Sequence, residues 1–341
     1  LKGKAMARGA KRKGASGAKT GGRGAGQGGG PAAKRQQFLT RAARVFDVPE
    51  GVAEALMSQG RRQSVRFNPL AGASRADFEA ELAPWGDALI PIDWCEGAWH
   101  LDLEPGQALP EALFSSGQAF IQNASSFVPS LALDPQPGER ILDLCAAPGG
   151  KTSHIAALTG NEAEIWANDA LPARLPKLNE VLGLLHVRTA SVTAHPGQFI
   201  DRFLEGPFDR ILIDAQCTGE GMIDLRRSAT LRYWAMERVI EYSRLQRKML
   251  MAATKLLKPG GVLVYSTCTL APEENEASVN HLLTHAPEMS LEPIDIAAPG
   301  LIPARTRWEG DSFDPSLTMA CRVSPSRFME AFFVARLRKD V

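Results

Sequence analysis

The chain has 341 residues, 44% of them hydrophobic and 23% charged, enough for a substantial core and two domains. No apolar run approaches the ~18 residues of a membrane span, and no apolar segment of the secretory kind opens the sequence. The five cysteines (Cys95, Cys145, Cys217, Cys268 and Cys321) are odd in number and widely spaced, with no C-x-x-C pair. That pattern argues for a reducing, cytoplasmic setting and against a disulfide framework or a zinc site.

The net charge of +1 hides an asymmetry. Residues 1–35 hold ten Lys or Arg and no Asp or Glu, leaving 29 basic against 38 acidic residues in the rest. Eleven of the first thirty residues are Gly. Such a stretch has too little apolar surface to offset its ordering entropy, so residues 1–35 are expected to be a disordered basic tail. A tail of this kind suits non-specific phosphate contact, and a merely solubilising extension fits the composition equally well. Nucleic-acid binding by the acidic body would need a local basic groove.

From residue 36 the pattern becomes structured. Phe38, Leu39, Ala42, Val45 and Phe46 fall at helical spacing, and Val52 to Met57 supplies a second short helix. Ser64 to Leu70 alternates like a strand until Pro69 stops it. A helix over Arg75–Leu82, a strand near Leu89–Ile92 and the Leu101/Leu103 alternation complete a small α/β module, 36–112, expected to contact RNA if the chain acts on RNA. Residues 113–341 then alternate strands with helices. Strands are predicted at Arg140–Cys145, Glu164–Asn168, near His186–Ala190, at Phe208–Asp214 and at Gly261–Ser266. A long helix over about Arg232–Leu257 is ended by Pro259-Gly260-Gly261, and a last strand runs Ala331–Leu337. This order predicts a Rossmann-like α/β domain with a mainly parallel sheet.

Four features end at the carboxyl ends of those strands, where ligands bind in such folds. Leu142-Asp143-Leu144-Cys145-Ala146-Ala147-Pro148-Gly149-Gly150-Lys151-Thr152 is a strand, a tight turn and a helix N-terminus. Its glycines let the backbone approach a ligand closely, and the first helical N–H groups face it. Asp169, about twenty residues on, stands where an acid accepts hydrogen bonds from ribose hydroxyls. A nucleoside-type cofactor follows, and the loop fits neither G-x-G-x-x-G nor a Walker A pattern. Asp214-Ala215-Gln216-Cys217-Thr218-Gly219-Glu220-Gly221 and Tyr265-Ser266-Thr267-Cys268-Thr269 each carry a cysteine past a strand end. A single Cys is usually a small buried hydrophobe, and that reading stands for the thiols of Cys95, Cys145 and Cys321. Two at adjacent strand ends would face one cavity. His281 and His285 lie four apart on a helix without an H-E-x-x-H acid, so no metal is expected.

Together these three cysteine-bearing segments, the second taken on to Met222 and the last through Leu270-Ala271-Pro272-Glu273-Glu274-Asn275-Glu276, resemble the Sun/NSUN family of S-adenosylmethionine-dependent RNA (cytosine-5) methyltransferases. Arg66-Phe67-Asn68 is similar to the family's R-x-N segment, Gly117–Ser126 to its Q-D/N-x-S segment, and Arg322–Arg336 to its closing strand. The resemblance implies a class I methyltransferase fold and transfer of a methyl group to carbon 5 of a cytosine in rRNA or tRNA. It implies Cys268 as the nucleophile that adds to carbon 6, with Cys217 assisting release. Lys151 is a candidate to lower the thiol pKa or to hold the pyrimidine, and Asp214 to contact the base edge. Cys145, Ala146, Ala147, Pro148, Gly149, Gly150 and Lys151 would wrap the cofactor's amino-acid end, with Asp214 beside them. Asp169 would bind the ribose, and Arg174 would support that site or lie on the surface. RNA is the expected partner, with no membrane and a monomeric state. Two departures stand out: Gln216 replaces the family's usual Pro, and Ala190–Ala194 lacks the acid often found near the adenine, leaving Thr193 or Ser191 as weaker substitutes. An alternative is an RNA-assembly factor that binds the cofactor with little catalysis; a methyltransferase acting on DNA or a small molecule is disfavoured by the R-x-N segment and the basic arm.

Overall fold

A computed structural model describes residues 30–189 and 191–341. Nearly all of the expected tail lies outside those residues. Its last part does not behave as tail: α1 (Pro31–Phe46) begins at a proline, whose fixed φ and missing N–H suit a first helical position. Arg35 on it pairs with Glu54 of α2 (Glu50–Met57) at 2.5 Å.

A small sheet follows. It contains β1 (Ser64–Phe67), then, after α3 (Arg75–Leu82), β2 (Leu89–Pro91) and β3 (Ala98–Leu101). Past α4 (Glu111–Ser115), β4 (Ala119–Gln122) pairs antiparallel with β1 and gives the order β2-β3-β1-β4. The sheet therefore reaches beyond the division expected at residue 112. Phe78 of α3 anchors it, with its ring 5.0 Å from Phe67 and 5.6 Å from Trp99. The first two helices do not join this core. Phe38, Leu39, Ala42 and Met57 pack instead with Ile223, Leu225, Trp234, Leu270 and Trp308, far along the chain.

The larger unit adds α5 (Phe127–Leu133), β5 (Arg140–Asp143), α6 (Gly150–Leu158), β6 (Glu164–Asn168), α7 (Leu175–Leu184) and β7 (Ser191–Thr193). After these come β8 (Phe208–Asp214), α8 (Met236–Leu256), β9 (Leu257–Thr267) and α9 (Glu276–His285). Then follow β10 (Met289–Glu292), β11 (Leu301–Pro303), the hairpin β12 (Arg307–Trp308) and β13 (Asp311–Ser312), β14 (Cys321–Val323) and β15 (Phe332–Lys339). The sheet runs β11-β14-β15-β9-β8-β5-β6-β7, and β10 also pairs with β15. From β7 to β9 the strands are parallel; β15 is antiparallel to β9. Alternate side chains feed two cores. Ile211, Ile213, Leu263, Tyr265, Phe333 and Leu337 face α8 and α9. Ile141, Leu212, Val262, Val264 and Val334 face α5 and α6. This is the doubly wound arrangement, and its order reverses between β5 and β8.

Three sequence readings need correction. The third strand is Ser191–Thr193, not His186–Ala190. His186 has φ 57°, and Asn161 holds both the His186 carbonyl (2.8 Å) and the Arg188 N–H (3.0 Å), so the chain turns there before pairing with β6. The long helix stops at Leu256, and Pro259-Gly260-Gly261 lies inside β9. The closing strand continues to Lys339, where Arg336 and Arg338 leave the core to meet Glu292.

Asp143, the last residue of β5, is buried beneath the loop that follows. Thr152 Oγ1 donates to its Oδ2 at 2.6 Å, while Oδ1 has no partner. Burial pushes this carboxyl up to about 7, and the nearby Asp214 charge adds to it. The folded chain therefore keeps a proton that the unfolded chain loses near pH 4. That contribution to stability is full below pH 4 and is lost as pH rises toward 7. Asp143→Asn keeps the Thr152 contact and removes the titration. Denaturant unfolding at several pH values should show the substituted protein gaining stability relative to the native sequence between pH 4 and 7, with the two nearly equal below pH 4. A constant difference across that range would refute the assignment.

Candidate active site

The turn after β5 is built on Gly149, at φ +114°, where a Cβ would also sit 3.2 Å from Leu178 and 3.1 Å from Val181. It delivers α6 with no side-chain cap, so the first N–H groups of that helix are free for a ligand. Cys145, Ala146, Ala147, Pro148, Gly150, Lys151 and Asp214 line one cavity of about 200 Å³. Its other wall comes from the small sheet and the segment after it: Phe120, Ile121, Gln122 and Ser126. Gln122 donates through Nε2 to Ser126 O at 3.3 Å, but its buried Oε1 has no partner. An orphaned acceptor and an uncapped helix N-terminus on facing walls fit the polar amino-acid end of a nucleoside-type cofactor. The sequence pointed to one of these walls only. Phe120 and Gln122 face the loop because β4 pairs with β1, which no local pattern reveals.

Asp169 and Arg174 are placed beside this cavity, not in its lining. Asp169 is fully buried: Oδ1 accepts from Leu171 N at 3.0 Å, and Oδ2 from Ala147 N at 3.3 Å and Arg174 Nη1 at 2.8 Å. The half-exposed Arg174 also reaches Ala147 O, so it covers the acid. Thr193, considered as a substitute for the missing acid near the adenine, donates its hydroxyl to Asn168 Oδ1 at 2.9 Å and is engaged. Ser191 lies within β7.

At the floor, Lys151 Nζ pairs with Asp214 Oδ2 at 2.7 Å, and Ser266 Oγ donates to Asp214 Oδ1 at 2.9 Å. The ammonium also lies 5.3 Å from the Phe332 ring centre. Beyond Asp214 and Ser266 the two cysteine loops meet, with Cys217 Sγ 3.3 Å from Cys268 Sγ. The hydrogen bond to Cys268, together with burial, holds the Cys217 thiol well above its ordinary range, so it keeps its proton. Burial, reinforced by the Asp143 and Asp214 charges, likewise pushes Cys145 up, and the Gln216 N–H offsets part of that. Gln216, where the family has Pro, thus uses an N–H that proline lacks. Its carbonyl accepts from Gln246 Nε2 at 2.9 Å. Gly221 closes the first loop so tightly that a Cβ there would lie 2.1 Å from Ala331 O.

Several contributors were not visible in the sequence. Arg41 of α1 forms an ion pair with Glu273, just past the second cysteine loop, and Arg61 donates to Gly221 O. Glu220, fully buried, accepts from Trp234 Nε1 at 2.6 Å and from Thr269 Oγ1 at 3.2 Å. The R-x-N segment does not face solvent. Arg66 is buried with Nη2 on Ser153 Oγ at 3.1 Å, and Asn68 Nδ2 bridges Gly117 O and Leu185 O at 2.9 Å each. These side chains hold the seam between the two sheets and do not present a surface to nucleic acid. Among the described residues no group of His, Cys, Asp or Glu is arranged to hold a metal ion, and no helix is long and apolar enough to cross a membrane.

Residues 130–338 match the family model described as 16S rRNA methyltransferase RsmB/F. The tRNA (cytosine(49)-C(5))-methyltransferase of Pyrococcus abyssi is 38% identical over 283 residues, covering 82% of this chain and 88% of that protein. The ribosomal RNA small subunit methyltransferase F of Klebsiella pneumoniae is 37% identical, also over 82% of this chain, which spans 57% of that relative's length. Among solved structures, a methyltransferase homolog from Pyrococcus horikoshii superposes with a TM-score of 0.72 at 30% identity, over 89% of this chain and 99% of that one. NSun6 from the same organism, solved with SFG, shares the fold at a TM-score of 0.73 and 23% identity, over 89% of this chain and 98% of that one. With the two cysteine loops and the glycine turn in their expected places, the chain belongs to the RsmB/F family of methyltransferases, the Sun/NSUN group that its motifs resemble.

Proposed function

We propose that this chain is an S-adenosylmethionine-dependent RNA (cytosine-5) methyltransferase acting through a covalent Cys268 adduct. The observation that carries the reading is the pair of thiols 3.3 Å apart at the ends of adjacent strands, next to the cavity of the glycine turn. The cofactor supplies an electrophilic methyl group. Residues 145–151 would hold its amino-acid end, with Gln122 opposite, and Asp169 would take the ribose hydroxyls once Arg174 swings aside. The target base enters unstacked, as base chemistry requires.

Carbon 5 of cytosine is too poor a nucleophile to take a methyl group directly. Addition of the Cys268 thiolate to carbon 6 pushes electron density onto carbon 5 and splits one hard step into easier ones. Lys151 and Asp214, paired at 2.7 Å, would contact the pyrimidine edge. After methylation, loss of the carbon-5 proton to a base and elimination of the Cys268 sulfur restore the aromatic ring. Cys217 keeps its proton and lies 3.3 Å from Cys268, which suits a thiol that assists departure and not one that attacks. The scaffold alternative does not require two opposed thiols. A monomeric, cytoplasmic enzyme acting on rRNA or tRNA fits this reading.

Cys268→Ala should lower methyl transfer to RNA by at least about 10³-fold. Cys217→Ala should accumulate a covalent protein–RNA band on a denaturing gel with S-adenosylmethionine and total RNA, and the double substitution should not. An adduct that survives loss of Cys268 overturns the nucleophile assignment. Absence of both adduct and methyl transfer with tRNA and small-subunit rRNA favours the scaffold. Asp169→Ala should weaken S-adenosylmethionine binding in calorimetry by about tenfold or more, the worth of a hydrogen bond to a charged group. Unchanged affinity would remove Asp169 from the ribose site.

A further inference from the structure

The two cysteine loops are joined by a carboxyl at the far end of the second motif. Glu274 lies six residues past Cys268 and is buried. Its Oε1 accepts from Thr218 Oγ1 and, at 3.3 Å, from Thr269 Oγ1. Its Oε2 accepts from Thr218 N at 3.1 Å and from Gln246 Nε2 at 2.9 Å. Thr218 adjoins Cys217, and Thr269 adjoins Cys268. Their hydroxyls also touch each other at 2.8 Å. One carboxyl therefore spans both neighbours of the sulfur pair, while Gln246 ties it to α8 and to Gln216 O.

The surroundings lock this carboxyl in place. Tyr265 OH donates to Glu274 O at 2.6 Å from β9. Glu220 receives the Thr269 hydroxyl from the other side and is itself faced by Arg41 at 3.7 Å. Without Glu274, the Thr218 N–H and one N–H of Gln246 would lose their acceptor and the Thr218 hydroxyl would keep only Thr269, so the loops would repack. Burial pushes the Glu274 carboxyl up to about 7, so the cradle tolerates its neutral form. A glutamine fits the same cradle: its oxygen can accept from Thr218 N and Gln246, and its amide can donate to the two threonine hydroxyls.

We propose that Glu274 is a positioning residue that acts through Thr218 and Thr269 to hold the Cys217 and Cys268 sulfurs at their working separation. The inference rests on the division of labour between those thiols given above. It assigns Glu274 no contact with RNA or cofactor and no proton to carry.

The test compares Glu274→Ala, Glu274→Gln and Thr218→Val with the native sequence in two readouts. The first is capture of phenylarsine oxide, which needs two thiols a few ångströms apart, followed by intact mass in excess monothiol, with Cys217→Ala as the blank. The second is RNA methylation resolved into kcat and KM. Glu274→Ala should lose the retained arsenical and about 10²-fold in kcat, the scale of an ångström-sized misplacement, with KM for RNA and S-adenosylmethionine affinity held. Glu274→Gln should recover the arsenical and bring kcat back to within about tenfold, with an unchanged pH profile. Thr218→Val, which keeps the backbone N–H to Glu274, should show a smaller loss in both readouts and decides the matter if the alanine variant does not fold. Retention of the arsenical and of kcat by Glu274→Ala overturns the proposal. So does a folded Glu274→Gln as inactive as the alanine variant, because a charge or proton would then be the requirement. A native protein that captures the arsenical but methylates no RNA defeats the functional reading and leaves the positioning role standing.

Discussion

The parallel pairing of β8 with β9 is the constraint on which the site depends. Ile211, Leu212 and Ile213 pair with Leu263, Val264 and Tyr265, and the ladder ends with Asp214 opposite Ser266. All six apolar side chains are fully buried, alternating between the two cores. Burying each stabilises the fold by about 1.5–3 kcal/mol. A slip of one residue would turn every one of them to the wrong face, so the register is held far more firmly than either loop could hold itself. Ala215 N then donates to Ser266 O at 2.8 Å, extending the ladder to the edge of the cavity. Cys217 lies three residues past one strand end and Cys268 one past the other. Their meeting follows from the core.

On that frame the electrostatics separate two chemically identical groups. Cys217 is hydrogen-bonded to its partner and partly buried, which keeps it protonated. At the cavity floor, Lys151 and Asp214 neutralise each other at 2.7 Å. In a partly desolvated pocket such a pair is a fixed dipole, and on the proposed reaction it need not reorganise when charge moves into the substrate ring. Asp143 below and Glu274 behind have carboxyls raised by burial, so the protein does not crowd the pocket with uncompensated negative charge.

Much of this was readable from the chain because it is written locally. The glycine turn follows an apolar strand and opens a helix within eleven residues, and each cysteine loop directly follows a period-two run. Fold class and the gathering of residues 145–151, Asp214, Cys217 and Cys268 came from those signals. What stayed hidden is written across distance. Thr218 and Glu274 are 56 residues apart, and Arg41 and Glu273 are 232 apart. No periodicity joins them, because each is set by where the sheet delivers two loops. The third strand was misplaced for a local reason: Val187 reads as apolar strand, but the left-handed His186 and its Asn161 clamp spend those residues on a turn. Asp169 was read as open to a ribose because sequence spacing cannot report that Arg174 folds across it.

The small sheet gains a role from the same geometry. β4 is held to β1 by the Ser64–Phe67 ladder, and β1 is tied to the larger unit through Arg66 on Ser153 and Asn68 on Leu185. Those buried bonds fix Phe120 and Gln122 against the turn at Gly150. The cavity at the glycine turn is therefore closed by residues from the small sheet and from the large one, and neither has both walls alone. The N-terminal segment acts likewise on the cysteine loops, since Arg41 of α1 reaches Glu273 and Arg61, past α2, reaches Gly221. Loosening either seam would enlarge the cavity or free a cysteine loop before it disturbed the main core. Segments that read as a leading module are, in energetic terms, the outer wall of the site.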